Sequence, residues 1–291
     1  MGGDDLGDDD ADYLNVSVQE DDDGALVTAK DHSAAIQDEK ESSTTNDNKK
    51  RQLNGDHDKE APDATTKKSK KSHNVLLETS RHLLTLQREE QALFLSTALQ
   101  HYTQLRGNND NNNEEESDIP KLPSPTRWAH FLVQPKESNT TFLDRLLSVM
   151  SKKRLKKQAR NSTQQGHPSI VIICQSARRA VALLQECAPL GVKAAKLFPK
   201  QATVAQQATE LQSTSVGLAV GTPHRLLALL DTGALQLSAA QLIVLDAAPC
   251  PPKHYTVCTL PDTAPDCMQL LAQHVWPALQ TQGKQLKLAF L

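Results

Sequence analysis

The chain has 291 residues and a net charge of -3, and that near-neutral total conceals an acidic first 72 residues, with 19 of the 35 acids, ahead of a basic remainder with 22 Lys and Arg against 16 Asp and Glu. No window approaches 18 uncharged apolar residues and the amino terminus is acidic, which excludes a membrane span and a secretory leader. The five cysteines, Cys174, Cys187, Cys250, Cys258 and Cys267, are too far apart for a CxxC zinc knuckle and suit reduced thiols in an intracellular protein.

Residues 1–72 include the runs Asp8-Asp9-Asp10 and Asp21-Asp22-Asp23 and one aromatic, Tyr13. They bury too little apolar surface to offset the entropy of ordering, so a disordered tail is expected. Lys49-Lys50-Arg51 and Lys67-Lys68-Ser69-Lys70-Lys71 read as nuclear import signals within it. A basic body behind an acidic tail points to a polyanion partner, with the tail as a solubilising or competing polyanion.

Order is expected from His73. Between Val75 and Tyr102 apolar residues recur at helical spacing with no Pro or Gly, giving one or two amphipathic helices within an amphipathic segment 73–106. Gly107 ends them, and the Asn- and Glu-rich stretch 107–118 is expected to be a surface loop. Leu122 to Pro135 holds three prolines around Trp128, Phe131 and Leu132, and reads as an extended segment pinned by aromatic contacts. Phe142 to Met150 fits a short helix. It runs into Lys152, Lys153, Arg154, Leu155, Lys156, Lys157, Gln158, Ala159 and Arg160, six positive charges in nine residues, dense enough to grip phosphates and free of aromatics for base stacking.

From Pro168 the pattern becomes regular. Apolar runs 170–174, 192–198, 216–220, 242–246 and 285–291 read as strands, and 177–187, 201–212, a segment opening at Pro223, and 266–279 read as helices. Strands alternating with helices predict an α/β fold, a mainly parallel five-stranded sheet covered on both faces. Thr222 before Pro223 is an N-cap followed by proline at the first helical position, so the polar residues after the strands gather on the carboxyl edge, where doubly wound folds bind ligands.

The order and spacing of these elements resemble the first RecA-like domain of DEAD-box RNA helicases, which implies a three-layer domain. Gly221-Thr222-Pro223-His224-Arg225 resembles the TPGR motif that touches the nucleic-acid backbone, Ser176-Ala177-Arg178-Arg179-Ala180 sits where PTRELA would be, and Leu245-Asp246-Ala247-Ala248 where the family has L-D-E-A-D. The glutamate of that last motif is Ala247. A phosphate loop needs GxxxxGK(S/T), and between Gly107 and Gly166 there is no glycine. Motor activity is therefore not expected, nor is a cofactor, a catalytic residue or a small-molecule substrate.

Over about residues 119–291 the chain resembles the complementation-of-Mcm-ten-suppressor family of helicase-like proteins without a phosphate loop. The resemblance rests on Cys174 to Ala177, Lys196-Leu197-Phe198, Gly221 to Arg225, Leu242 to Asp246 and Leu286 to Leu291. It implies a nucleolar, non-enzymatic subunit of the small-subunit preribosome, in the company of preribosomal RNA and assembly factors. Ser176, Thr222 and Arg225, extended by Lys196 and Lys200 and by Lys152, Lys153, Arg154, Lys156 and Lys157, are the expected backbone contacts, without base specificity. Two alternatives stand beside this: Arg225 pairs internally with a carboxylate such as Asp246, or the domain is a protein adaptor that docks through the apolar face of the Val75–Tyr102 helix.

Overall fold

The computed structural model describes residues 73–107, 123–136, 141–161 and 164–291, all within one unit that spans Asp63–Leu291. The expected tail 1–72 and most of the loop 107–118 lie outside the described residues. Helix α1 covers 73–80, followed by α2 (Arg88–Gly107), α3 (Pro125–Phe131), strand β1 (Leu132–Val133), α4 (Phe142–Val149) and α5 (Lys152–Asn161). The regular part then runs β2 (Ile170–Ile173), α6 (Ala177–Cys187), β3 (Ala194–Leu197), α7 (Val204–Ser213), β4 (Leu218–Gly221), α8 (Pro223–Asp231), β5 (Leu242–Leu245), α9 (Ala264–Leu270), α10 (Trp276–Gln282) and β6 (Lys287–Phe290).

The six strands form one sheet in the order β1-β6-β5-β2-β4-β3, and every pairing is parallel. The sheet is thus one strand wider than the apolar runs predict. β1 is only two residues long, pairing Leu132 with Leu288 and Val133 with Ala289, too short to leave a period-two signature between prolines.

Period-two alternation sends successive side chains to opposite faces, and both faces are covered. Val171, Ile173, Ala219, Ile243, Leu245, Leu288 and Phe290 join a core roofed by α2, α3, α8, α9 and α10. Ile170, Ile172, Leu218, Val220, Leu242, Val244 and Ala289 join the other, under α4, α5 and α6. Central strands buried on both faces explain the unbroken apolar runs.

Three expectations need correction. The prolines near residue 125 do not hold the chain extended: Pro125 sits at the start of α3 after Ser124, where its missing N–H has no partner to lose. The aromatic pinning is nonetheless present, with Trp128 fully buried, its ring centroid 4.9 Å from that of Trp276, and Phe131 edge-on to Trp276. The Val75–Tyr102 segment is two helices, within the one or two expected, but the apolar face of α2 is packed inward: Ala92, Phe94, Leu95, Ala98 and Leu99 are buried against the sheet layer, so that face is not free to hold a partner. The last helix begins at Ala264 and widens into a π-turn over Leu271–Val275 just before Pro277, whose ring nitrogen cannot donate to the preceding turn.

Candidate nucleic-acid interface

At the carboxyl edge, β2 ends at Ile173 and the chain turns through Ser176, whose Oγ accepts the Arg179 amide at 3.2 Å and starts α6. Arg179, in the first turn, reaches across to Asp246 at the end of the neighbouring strand β5. Its Nε donates to Oδ2 and its Nη2 to Oδ1, both at 2.9 Å, a two-pronged pair whose carboxylate is fully buried. Arg179 Nη1 also lies 3.6 Å from Glu186 Oε1, and Glu186 Oε2 accepts the amide of Phe142, the first residue of α4. The hydrogen bonds that Arg179 donates to Asp246 raise the Arg179 pKa above its ordinary value. Arg145 of α4 feels the same charges: burial lowers its pKa, while Asp246 pulls it back up. Cys174, beneath this network, has its thiol pushed up to about 12 by burial, so it is no nucleophile at neutral pH.

Along the same edge, β4 delivers Gly221 and Thr222 to α8. A Cβ on Gly221 would clash with the Leu197 carbonyl oxygen of β3, so only glycine fits where the two strands close up. Thr222 is 7% exposed and takes the N-cap position, yet its Oγ1 has no hydrogen-bond partner. Arg225 faces inward: it is 8% exposed, and its Nη1 donates to the Ala202 carbonyl and to Gln207 Oε1, both at 2.6 Å. This corrects its assignment as a phosphate contact, and it corrects the alternative too, because Asp246 belongs to Arg179. A buried guanidinium needs its donors satisfied, and α7 with the turn before it supplies the acceptors. Exposed His224 lies 3.2 Å from Asp266.

The expected lysines are displayed elsewhere. On α5, Lys152, Lys153, Arg154 and Lys157 are exposed and Lys156 half-buried, while Leu155, 1% exposed, fixes the helix to the core. The helix packs on the short turn Ala188–Leu190, which follows α6 and precedes β3, at the amino edge of the sheet. Ser176, Thr222 and Lys200 therefore share the carboxyl edge, α5 lies toward the opposite end, and exposed Lys196 sits on β3 between them.

The sequence missed Arg179, Glu186 and Gln207. Arg179 was visible in Ser176-Ala177-Arg178-Arg179-Ala180, but its partner is 67 positions away and no spacing rule joins them.

The helicase resemblance raises the question of a nucleotide and its metal. β1 and α4 follow one another as the strand and helix around a phosphate loop would, but the sequence between them has no glycine, and Glu186 accepts the first amide of α4 with a negative charge. The carboxylate that would face a cation is already held by Arg179. These residues do not fit a metal-nucleotide complex. Among the described residues no group of three His, Cys, Asp or Glu side chains is arranged to hold a metal ion, and no helix is long and apolar enough to cross a membrane.

Comparison with known proteins gives relatives named CMS1 and CMSS1. The chain is 32% identical over 123 residues to Protein CMS1 of Chaetomium thermophilum, covering 41% of this chain and 49% of that protein. It is 29% identical over 119 residues to Protein CMSS1 of Danio rerio (40% and 41%) and 29% over 134 residues to Protein CMSS1 of Homo sapiens (45% and 48%). The alignments thus span no more than about half the length of each relative. A family model described as CMS1, U3-containing 90S pre-ribosomal complex subunit, matches residues 34–290, nearly the whole chain, and the protein belongs to that family.

Proposed function

We propose that the protein is a non-enzymatic, nucleolar subunit of the small-subunit preribosome that holds precursor RNA by its sugar-phosphate backbone through a helicase-derived domain. The single observation that carries this reading is the buried Arg179–Asp246 pair. A motor would keep that carboxylate open toward a cation, whereas here a guanidinium neutralises it and Glu186 stands at the neighbouring helix start. Such a site supports shape and not turnover. Membership of a preribosomal family supplies the setting.

The backbone-binding half of the reading rests on α5 and on the carboxyl edge. Lys152, Lys153, Arg154, Lys156 and Lys157 form no ion pair among the described residues, so their charges face solvent. At the carboxyl edge Ser176 and Thr222 begin helices of 11 and 9 residues, and the Thr222 hydroxyl lacks a partner. Ser176, Lys196 and Lys200 remain in the proposed contact set with the helix start at Thr222, whose own hydroxyl is buried, and Arg225 is removed.

The test is in-cell crosslinking of the full chain to RNA, with Lys153→Glu, Arg154→Glu and Lys157→Glu combined. We expect crosslinks to fall at least about tenfold, because three phosphate contacts become repulsions. Undiminished crosslinking would sink direct RNA contact and leave a protein adaptor that docks by a surface other than the buried face of α2. ATP hydrolysis that copurifies with the chain and vanishes in Asp246→Asn would overturn the non-enzymatic part.

A further inference from the structure

The basic charge of the folded part is concentrated in one stretch of chain. Residues 145–209 contain 12 Lys and Arg and a single acid, Glu186, whereas residues 210–291 contain 4 and 5. That lone acid is partnered by Arg179 and by the Phe142 amide. The stretch builds α5, α6 and β3. In the sheet order β3 is the outermost strand on its side, and it forms a lateral margin.

Three lysines follow that margin. Lys193 precedes β3 at the amino edge, Lys196 lies within it, and Lys200 follows it at the carboxyl edge, and all three are exposed. None forms an ion pair among the described residues. At the amino end the line meets the basic helix: a methyl group added at Gly191 would lie 3.9 Å from Lys156 Nζ. At the carboxyl end it meets the edge that holds Ser176 and the unpartnered Thr222 hydroxyl. The two clusters that the sheet separates are thus joined by a row of lysines along its margin.

We infer that a single RNA strand runs along β3, from α5 past Lys193 and Lys196 to Lys200, and reaches the carboxyl edge at Ser176 and Thr222. This rests on the RNA-binding reading above and adds a path and a residue, Lys193. Consecutive strand positions advance about 3.3 Å, which sets Lys193 and Lys196 roughly 10 Å apart. A stacked strand repeats its phosphates about every 3.4 Å along its axis, so a strand that follows the margin passes within reach of both lysines, which period-two alternation sends to opposite sides of it. The recognition is by backbone charge, because the one aromatic in 145–209, Phe198, is buried and leaves no platform for bases. A run of positive charge interrupted by one acid, in a chain of a preribosomal family, favours an RNA backbone over an acidic protein segment.

The experiment is fluorescence anisotropy of the full chain with an unstructured single-stranded RNA of about 20 nucleotides across a salt series. Lys193→Gln, Lys196→Gln and Lys200→Gln combined are expected to lower the slope of log affinity against log salt by about 2, at roughly 0.7 per phosphate contact. The control pair Lys253→Gln with Lys284→Gln, exposed but off this margin, is expected to leave the slope unchanged. An unchanged slope in the triple variant, with wild-type binding intact, would overturn the path and spare the reading. Failure of the wild-type chain to bind any RNA would sink both. Displacement of the RNA by polyglutamate at equal charge concentration would reassign the margin to an acidic protein and overturn the path. Unchanged thermal melting of the triple variant excludes unfolding as the cause.

Discussion

The carboxyl edge and the lysine-bearing flank treat charge in opposite ways. At the edge, Arg179 and Arg225 are turned inward and their partners, Asp246 and Gln207, are 0% exposed. On the flank, lysines stand in solvent on α5 and β3 and form no ion pair among the described residues. The residues that look most functional by motif have become parts of the scaffold. Those that look like ordinary surface carry the display. A buried pair resists removal because the survivor is left without a counter-charge, whereas an exposed lysine is changed at almost no cost to folding.

Asp246→Ala is the most severe way to probe the contrast. It strands the Arg179 guanidinium and should lower unfolding stability by about 3 kcal/mol in a denaturant titration, while the RNA affinity of the folded fraction stays within twofold. Arg179→Met combined with Asp246→Leu should recover most of that loss, since a packed apolar pair replaces the ionic one. A harmless Asp246→Ala would show that the edge is not held by this pair.

Next in size is Arg225→Met, which leaves Gln207 Oε1 and the Ala202 carbonyl without their donor. About 2 kcal/mol of stability should go, with crosslinking to RNA unchanged. A fall in crosslinking at constant stability would return Arg225 to the interface and erase the distinction between the two regions.

The smallest effect concerns His101 on α2, whose ring lies 5.8 Å from His73 of α1. Burial first, and then repulsion from His73, lowers the His101 pKa below the ordinary 6.5. Above that value folded and unfolded chains are both neutral there, and nothing is lost. As pH drops below about 6.5 the unfolded chain takes up the proton first, and stability declines until the folded imidazole is protonated as well. Melting curves at pH about 7.5 and 5.5 should show this decline, and His101→Phe should reduce it. An equal decline in both chains would place the pH sensitivity elsewhere.

Much of this fold was legible in the chain because its signals are local. α6 is a clear case: Ser176 caps it, and Ala180, Leu183 and Cys187 keep helical spacing to its last residue. Two-sided burial made β2, β4 and β5 legible as apolar runs. β1 was not, since two residues cannot show a period. Nor did the sequence reveal the inward turn of Arg225, whose acceptors, Ala202 and Gln207, lie 23 and 18 positions back across a strand boundary. The lysines of α5 were legible as charge, but their separation from Ser176 and Thr222 depends on which end of the sheet each loop occupies.

The two outermost strands share one further property. β1 offers an incoming chain only two residues, and β3 carries the charged side chain of Lys196 midway along its four. A short border and a charged one are poor templates for strand addition. Neither border therefore invites crowded copies of the protein to zip together through their sheets.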